Sequence, residues 1–302
     1  MSTIFTPLFT GCITALVTPF LPDGSIDLPA LRRLIDRQRK AGVSAIVLLG
    51  TTGEPCTLSM EERESVISEG ISAAGHIPII VGTGANNTQK AVEYAKQAAA
   101  LGAAAQLSVT PYYNKCTQNG LIRHYTAIMD SSALPLIAYS VPSRTGMAVS
   151  PAAIDALCGH PLFVGVKEAG SDAAAMADLI LSAQGRTAVY CGNDDQMLSM
   201  MAMGACGVIS VLSNLLPHEV VKLAAACIGG DLPTARALQA QLLPLIRALF
   251  LQVNPIPIKA ALAHIGLIED VLRLPLTPME EPHRSVLLRL VDAAAHSRHT
   301  RI

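Results

Sequence analysis

Phe163-Val164-Gly165-Val166-Lys167 is a five-residue run that stays apolar until it closes on one charge. A run this short, without polar alternation, reads as a strand buried on both faces, as strands of a parallel sheet are. Helical patterns flank it at 151–158 and 172–183. Parallel neighbours need crossovers, and helices supply them. Seven more runs of the same kind lie at 12–18, 45–49, 77–81, 105–110, 134–140, 188–191 and 207–211. The other helical stretches fall between or after them, at 28–41, 60–74, 88–101, 120–130, 195–203 and 217–228. Ser59 ahead of Glu61 and Glu62 predicts an N-cap, while Gly42 and Gly102 predict helix ends. Eight strand–helix repeats could build an open doubly wound sheet or a closed barrel. Side chains just fill the interior of a barrel of eight, so the expected fold is an α/β protein, a (β/α)8 TIM barrel.

That barrel is expected over residues 1–231. From Leu232 onward no strand pattern recurs; 233–251, 256–265 and 282–296 read as helices, a C-terminal helical appendage spanning 232–302. Asn254-Pro255-Ile256-Pro257 reads as the turn that starts the second of these, and the tail at 296–302 is expected to fray.

Composition excludes several classes. Of 302 residues, 51% are hydrophobic and 15% charged, which describes a chain that buries a large core rather than a disordered one. A net charge of -1, with Lys and Arg scattered, gives no electrostatic case for nucleic acid or an anionic membrane. No apolar stretch reaches the ~20 residues a bilayer requires. Residues 1–20 carry no basic residue ahead of the first strand, unlike a signal peptide. The seven cysteines are odd in number and form no CxxC, so they read as reduced thiols of a cytoplasmic protein. No HExxH-like spacing suggests a catalytic metal, and Gly82-Thr83-Gly84 lacks the third glycine of a dinucleotide loop.

In a barrel, function belongs on the loops that follow the strand C-termini. Lys167 stands at such an end. With period 2, Gly165 shares its face, and if that face points inward the glycine removes bulk beneath an ammonium at the barrel mouth. Desolvation there favours the neutral amine, a nucleophile toward a carbonyl. The plainer reading is a strand-end lysine that reaches solvent or pairs with Glu168. Tyr139, on the neighbouring strand, is either a half-buried core aromatic or a proton donor and acceptor beside that amine, with Thr51 and Tyr113 as hydrogen-bonding partners. Gly50-Thr51-Thr52-Gly53 offers N–H groups and hydroxyls to a carboxylate or phosphate. Arg144, between Pro142 and Gly146, presents a fork suited to a carboxylate, or is a surface arginine.

Taken together, Gly50-Thr-Thr-Gly-Glu54, Gly82-Thr-Gly-Ala-Asn86, Thr110-Pro-Tyr-Tyr-Asn114, Tyr139-Ser-Val-Pro-Ser-Arg-Thr-Gly146, Gly165-Val-Lys-Glu168, Gly207-Val-Ile-Ser210 and Asn254-Pro-Ile-Pro-Ile-Lys259 resemble the pyruvate-dependent class I aldolase and lyase family of (β/α)8 barrels. The likeness covers about residues 10–293 and is greatest to the family's dihydrodipicolinate synthase branch. It implies that Lys167 forms a Schiff base with pyruvate and that Tyr139 relays protons with Thr51 and Tyr113, the latter from the adjacent subunit of a tight dimer. It implies that Thr52 holds the pyruvate carboxylate, that Ile209 adds a backbone contact with Gly192 close by, and that Arg144 receives the carboxylate of L-aspartate 4-semialdehyde. The implied product is 4-hydroxy-tetrahydrodipicolinate, on the diaminopimelate route to lysine, made by a dimer of dimers. No metal or diffusible cofactor is expected, since the iminium is itself the electron sink.

Two features depart from the family's pattern. Ser140 stands where the family often has Asn. At the site where feedback-inhibited members bind lysine, Asn86 and Tyr112 match, but Lys90 replaces a glutamate and Met60 and Arg63 replace histidines. A cation facing an ammonium opposes binding, so lysine is expected to inhibit weakly or not at all. N-acetylneuraminate lyase and keto-acid sugar aldolases share the lysine and the tyrosine; Arg144 within Pro-Ser-Arg-Thr-Gly speaks for the shorter, carboxylated aldehyde. A barrel that senses a keto acid without turnover would lack Lys167 or Tyr139.

Overall fold

The computed structural model describes residues 5–299, with side chains through 295. Eight parallel strands close into a barrel in sequence order: β1 (Gly11–Ala15), β2 (Ala45–Leu48), β3 (Ile79–Gly82), β4 (Ala105–Val109), β5 (Leu136–Ser140), β6 (Phe163–Glu168), β7 (Ala188–Cys191) and β8 (Gly207–Ser210). The seam between β8 and β1 runs from Gly11 opposite Gly207 to Thr14 opposite Ser210. Around the barrel lie α1 (Leu28–Ala41), α2 (Met60–Ala74), α3 (Thr88–Ala100), α4 (Gln118–Ser132), α5 (Pro142–Thr145), α6 (Pro151–Leu157), α7 (Ala173–Ala183), α8 (Met197–Ala202) and α9 (Pro217–Ile228). The C-terminal region adds α10 (Leu232–Ala248), α11 (Ile256–His264) and α12 (His283–His299).

Side-chain alternation along each strand divides the core in two. Ile13, Val47, Ile80, Leu107, Ile137, Tyr190 and Ile209 fill the barrel's interior. Leu48, Val81, Ala138, Val166, Val189 and Val208 face outward into the larger apolar layer beneath the helices. This two-sided burial is why the strands carry no polar alternation.

The punctuation read from sequence is present. Ser59 and Glu62 form a reciprocal capping box at α2, and Gly42 adopts the left-handed conformation that ends α1. Gly102 is also left-handed, one residue beyond the cap of α3. Some boundaries differ. Thr117 caps α4 and starts it at Gln118, earlier than the apolar pattern suggests. The stretch 195–203 divides into a 3-10 turn, Asp194–Gln196, and the short α8. The single turn α5, which carries Arg144, has no periodic signal at all. The tail expected to fray is helical to His299; residues 300–302 lie outside the described residues.

The appendage is tied to the barrel mouth by a buried ion pair. Lys259 of α11 places its Nζ 2.6 Å from Oε1 of Glu54, and both side chains are sealed from solvent. The same ammonium donates to the Thr18 carbonyl at 3.0 Å. The other Glu54 oxygen accepts from the Arg273 backbone N–H at 3.1 Å. Burial pushes the Lys259 pKa below its ordinary value, with Glu54 pulling it back. A paired, hydrogen-bonded charge is the form in which ions tolerate such an interior. Glu54 ends the 3-10 turn Thr51–Gly53, so the pair anchors that turn.

Candidate active site

A cavity of about 380 Å3 opens at the C-terminal mouth of the barrel. Thr51, Thr52, Tyr139, Arg144, Lys167 and Gly192 all line it, so six of the expected site residues meet in one place. Lys167 is buried, and its Nζ lies 4.2 Å from the centroid of the Tyr139 ring. The two are register partners on adjacent strands, which sets this approach before any side chain is chosen. Among the described residues no ion pair includes Lys167: Glu168 turns to the opposite face, where it accepts the Gly170 N–H at 2.5 Å. Burial raises the Glu168 pKa, and a hydrogen bond from Ser140 pulls it back.

The glycines act differently from the sequence expectation. Gly165 does lie on the inward face, but its space is not left open beneath Lys167. The Tyr190 ring fills it: a Cβ at 165 would stand 2.9 Å from Tyr190 Cε2. That ring is held by its hydroxyl, which donates to the Phe9 carbonyl at 3.0 Å. Gly192 is the residue that makes room for the lysine stem. A Cβ there would come within 2.8 Å of the Glu168 carbonyl and 3.1 Å of Lys167 Cε.

Thr52 is buried and accepts a hydrogen bond from Asn254 Nδ2 at 3.0 Å. Arg144, exposed on α5, donates to the Asn254 carbonyl at 3.0 Å. One residue of the appendage thus touches both side chains expected to hold carboxylates. Phe250, Leu251, Gln252 and Val253 continue this outer wall. The structure ends α10 at Ala248, so Phe250 and Leu251, expected within the helix 233–251, belong instead to the loop that leads to α11; of the five, only Asn254 carried a sequence signal, in the Asn254-Pro255-Ile256-Pro257 turn.

Two expected residues stand apart. Tyr113 does not line the cavity of its own chain; it is 94% exposed and holds a left-handed φ of 71°. Ile209 lies deeper, in the barrel's interior core, while Val211, two residues on, lines the cavity. A second cavity of about 330 Å3 borders Thr51, Tyr139 and Arg144 on another side, lined by Leu107, Val109, Tyr112 and Cys56. Among the described residues, no group of three or more His, Cys, Asp or Glu side chains comes together in a way that could hold a metal ion.

A profile of the Dihydrodipicolinate synthetase family matches residues 8–294. The chain belongs to that family. It is 48% identical over 286 residues to the 4-hydroxy-tetrahydrodipicolinate synthase of an Exiguobacterium species, covering 94% of this chain and 98% of the relative. Among solved structures it is similar to the dihydrodipicolinate synthase of Thermotoga maritima, with a TM-score of 0.93, 41% identity, and coverage of 95% and 99% of the two chains. It is also similar to the chloride-inhibited dihydrodipicolinate synthase of Acinetobacter baumannii, solved with pyruvate, with a TM-score of 0.92, 44% identity, and the same coverage.

Two residues singled out in the sequence, Arg63 and Lys90, converge on one ring. Arg63 is buried; its guanidinium lies 3.8 Å from the Tyr94 ring centroid and donates to the Gly82 carbonyl at 2.7 Å. Burial lowers its pKa to about 10. Lys90 approaches the same ring at 5.1 Å and pairs with Glu93. Among the described residues, no helix is long and apolar enough to cross a membrane.

Proposed function

We infer that the chain is a lyase that condenses pyruvate with L-aspartate 4-semialdehyde, giving 4-hydroxy-tetrahydrodipicolinate and water. This is a step of lysine and diaminopimelate biosynthesis. In our assignment the Lys167 amine adds to the pyruvate ketone, and loss of water leaves an imine. The protonated imine acidifies the adjacent methyl, so an enamine forms and its carbon attacks the aldehyde. The amine of the semialdehyde then displaces Lys167 from the imine carbon and closes the ring.

Tyr139, beside the lysine, moves protons in these steps. Thr51 is its relay partner, with Tyr113 supplied by a second copy. Thr52 and Ile209 hold pyruvate beside Gly192, and Arg144 receives the carboxylate of the semialdehyde, turning a two-substrate encounter into an oriented one. The observation that carries this reading is the buried amine 4.2 Å from a buried phenol ring, in a cavity that also holds Arg144. Borohydride reduction in the presence of pyruvate, read by mass spectrometry, tests it. A pyruvate adduct on Lys167 is expected, and turnover of L-aspartate 4-semialdehyde but not of N-acetylneuraminate. No adduct on Lys167 would end the assignment.

The exposed Tyr113 and the apolar cavity beside Thr51 and Tyr139 favour a tight dimer, doubled into a tetramer. Light scattering reads the mass directly. Seven free thiols suit the reducing cytoplasm. We divide the chain into a catalytic barrel, 1–231, and a helical region, 232–302, that walls the cavity. Arg63 and Lys90 around Tyr94 support weak or absent inhibition by lysine; half-maximal inhibition below millimolar lysine would contradict it.

A further inference from the structure

Asn254 is a buried amide in the wall of the cavity, on the loop between α10 and α11, and the reaction sketched above gives it no part. Its Nδ2 donates to Thr52 Oγ1 at 3.0 Å. Among the described residues, neither side chain makes another hydrogen bond. Asn254 Oδ1 is buried without a partner. A buried acceptor left without a donor weakens a fold. Packing therefore gives no reason for an amide here, whereas the hydroxyl it touches does.

A threonine hydroxyl has one proton to give and lone pairs to receive. While the amide donates into Oγ1, the hydroxyl acts as acceptor on that side and keeps its own proton free. Thr52 is 2% exposed and lines the cavity from the 3-10 turn Thr51–Gly53, so the open direction for that proton is the cavity itself. An ionised carboxylate has acceptors alone. It binds a hydroxyl whose proton faces it and is repelled by one whose lone pairs do. We propose that Asn254 is a positioning residue whose amide commits the Thr52 hydroxyl to donate toward the carboxylate of pyruvate. The inference rests on the assignment of Thr52 as the residue that holds that carboxylate. A donor set in place beforehand needs no reordering when the substrate arrives.

The backbone fixes the amide against its target. Ile256 N–H donates to the Val253 carbonyl at 2.9 Å, closing the chain around Asn254, and Lys259 N–H donates to the Pro255 carbonyl at 3.0 Å in the first turn of α11. The Lys259–Glu54 pair then ties α11 to the end of the turn that carries Thr52. Arg144 is held differently, through the main-chain carbonyl of Asn254. A change of side chain at 254 thus leaves the acceptor for Arg144 in place, and the two carboxylate-holding residues can be perturbed separately.

Because the substrates react in sequence through a covalent intermediate, kcat/KM for pyruvate and kcat/KM for L-aspartate 4-semialdehyde report separate halves of the reaction. In the full-length enzyme, Asn254→Ala should lower kcat/KM for pyruvate about tenfold and leave that for the semialdehyde within about twofold. Asn254→Asp keeps the shape, but its carboxylate takes the Thr52 proton; kcat/KM for pyruvate should fall about 10- to 100-fold, the size of a hydrogen bond to a charge. Thr52→Val, alone and combined with each, completes the cycle: once the hydroxyl is gone, Asn254→Ala should lower kcat/KM for pyruvate by less than about twofold further. Should Asn254→Ala melt well below wild type, Asn254→Asp with and without Thr52→Val carries the same comparison. Equal losses at 254 with and without the Thr52 hydroxyl, or equal losses for the two substrates, overturn the proposal and leave an amide that packs the loop. A wild-type kcat/KM for pyruvate in Thr52→Val would remove the carboxylate assignment and the proposal together. A large loss in Thr52→Val that multiplies with the loss at 254 removes the role of Asn254 alone.

Discussion

Replacing Lys259 with Met removes the cation that Glu54 faces in a dry interior. In the native protein Glu54 Oε1 has the ammonium at 2.6 Å, and Oε2 has one backbone N–H. After Lys259→Met, one oxygen of Glu54 and one acceptor on Thr18 lose their donor together. Breaking a buried pair by removing one partner costs about 3–5 kcal/mol. Spread over the unfolding entropy of a chain this long, that lowers Tm by roughly 5–8 °C. Circular dichroism during heating reads the shift. The same loss frees the Thr51–Gly53 turn, so the KM for pyruvate should rise more than kcat falls. The double variant Glu54→Gln with Lys259→Met has no stranded charge and should regain most of the lost stability. If the single variant melts within 1–2 °C of wild type, or the double is no better than the single, the pair is not what holds this corner.

Three other perturbations test separate parts of the protein, two in the site and one in the helical layer. Tyr139→Phe removes the phenol and keeps the ring; kcat should fall about 10²–10⁴-fold in steady-state assays, while borohydride still traps pyruvate, more slowly. Arg144→Ala should raise the KM for L-aspartate 4-semialdehyde about 10- to 100-fold, the worth of a charge-assisted hydrogen bond, and leave the KM for pyruvate near wild type. His124 is buried, with its pKa lowered to about 4, and its Nδ1 lies 2.9 Å from Thr88 Oγ1. The unfolded chain therefore takes up a proton near pH 6.5 that the folded chain refuses until about pH 4. Stability should fall across that window by up to about 3 kcal/mol as pH drops. His124→Gln should flatten this part of the curve in urea melts at pH 4.5 and pH 7.5.

The strands were legible because short, doubly apolar runs have few other homes, and the strand ends led directly to Lys167 and Tyr139. What stayed hidden depends on register or on distant partners. Gly165 could be seen to share a face with Lys167, but not that Tyr190 from the next strand would occupy the room. Asp194, within Gly192-Asn193-Asp194-Asp195, has the composition of a wet loop; only the fold shows it buried, accepting the N–H groups of Val211 and Leu212 just past the end of β8. Arg63 sits among glutamates in a sequence that suggests a solvated helix face, yet it turns inward onto Tyr94. The wall at 250–254 begins where the apolar pattern of 233–251 overruns the true end of α10 at Ala248, and its contact with Thr52 spans 202 residues of chain.

That last separation bears on how the enzyme comes into being on the ribosome. All eight strands have emerged while Asn254 and Lys259 are still unmade or inside the exit tunnel. At synthesis rates of about 5–20 residues per second, the nascent barrel waits several seconds with Glu54 unpaired and Thr52 lacking its amide donor. Substrate capture is thus deferred to the end of translation, and a chain cut short after β8 would carry its lysine and tyrosine in an unfinished vessel.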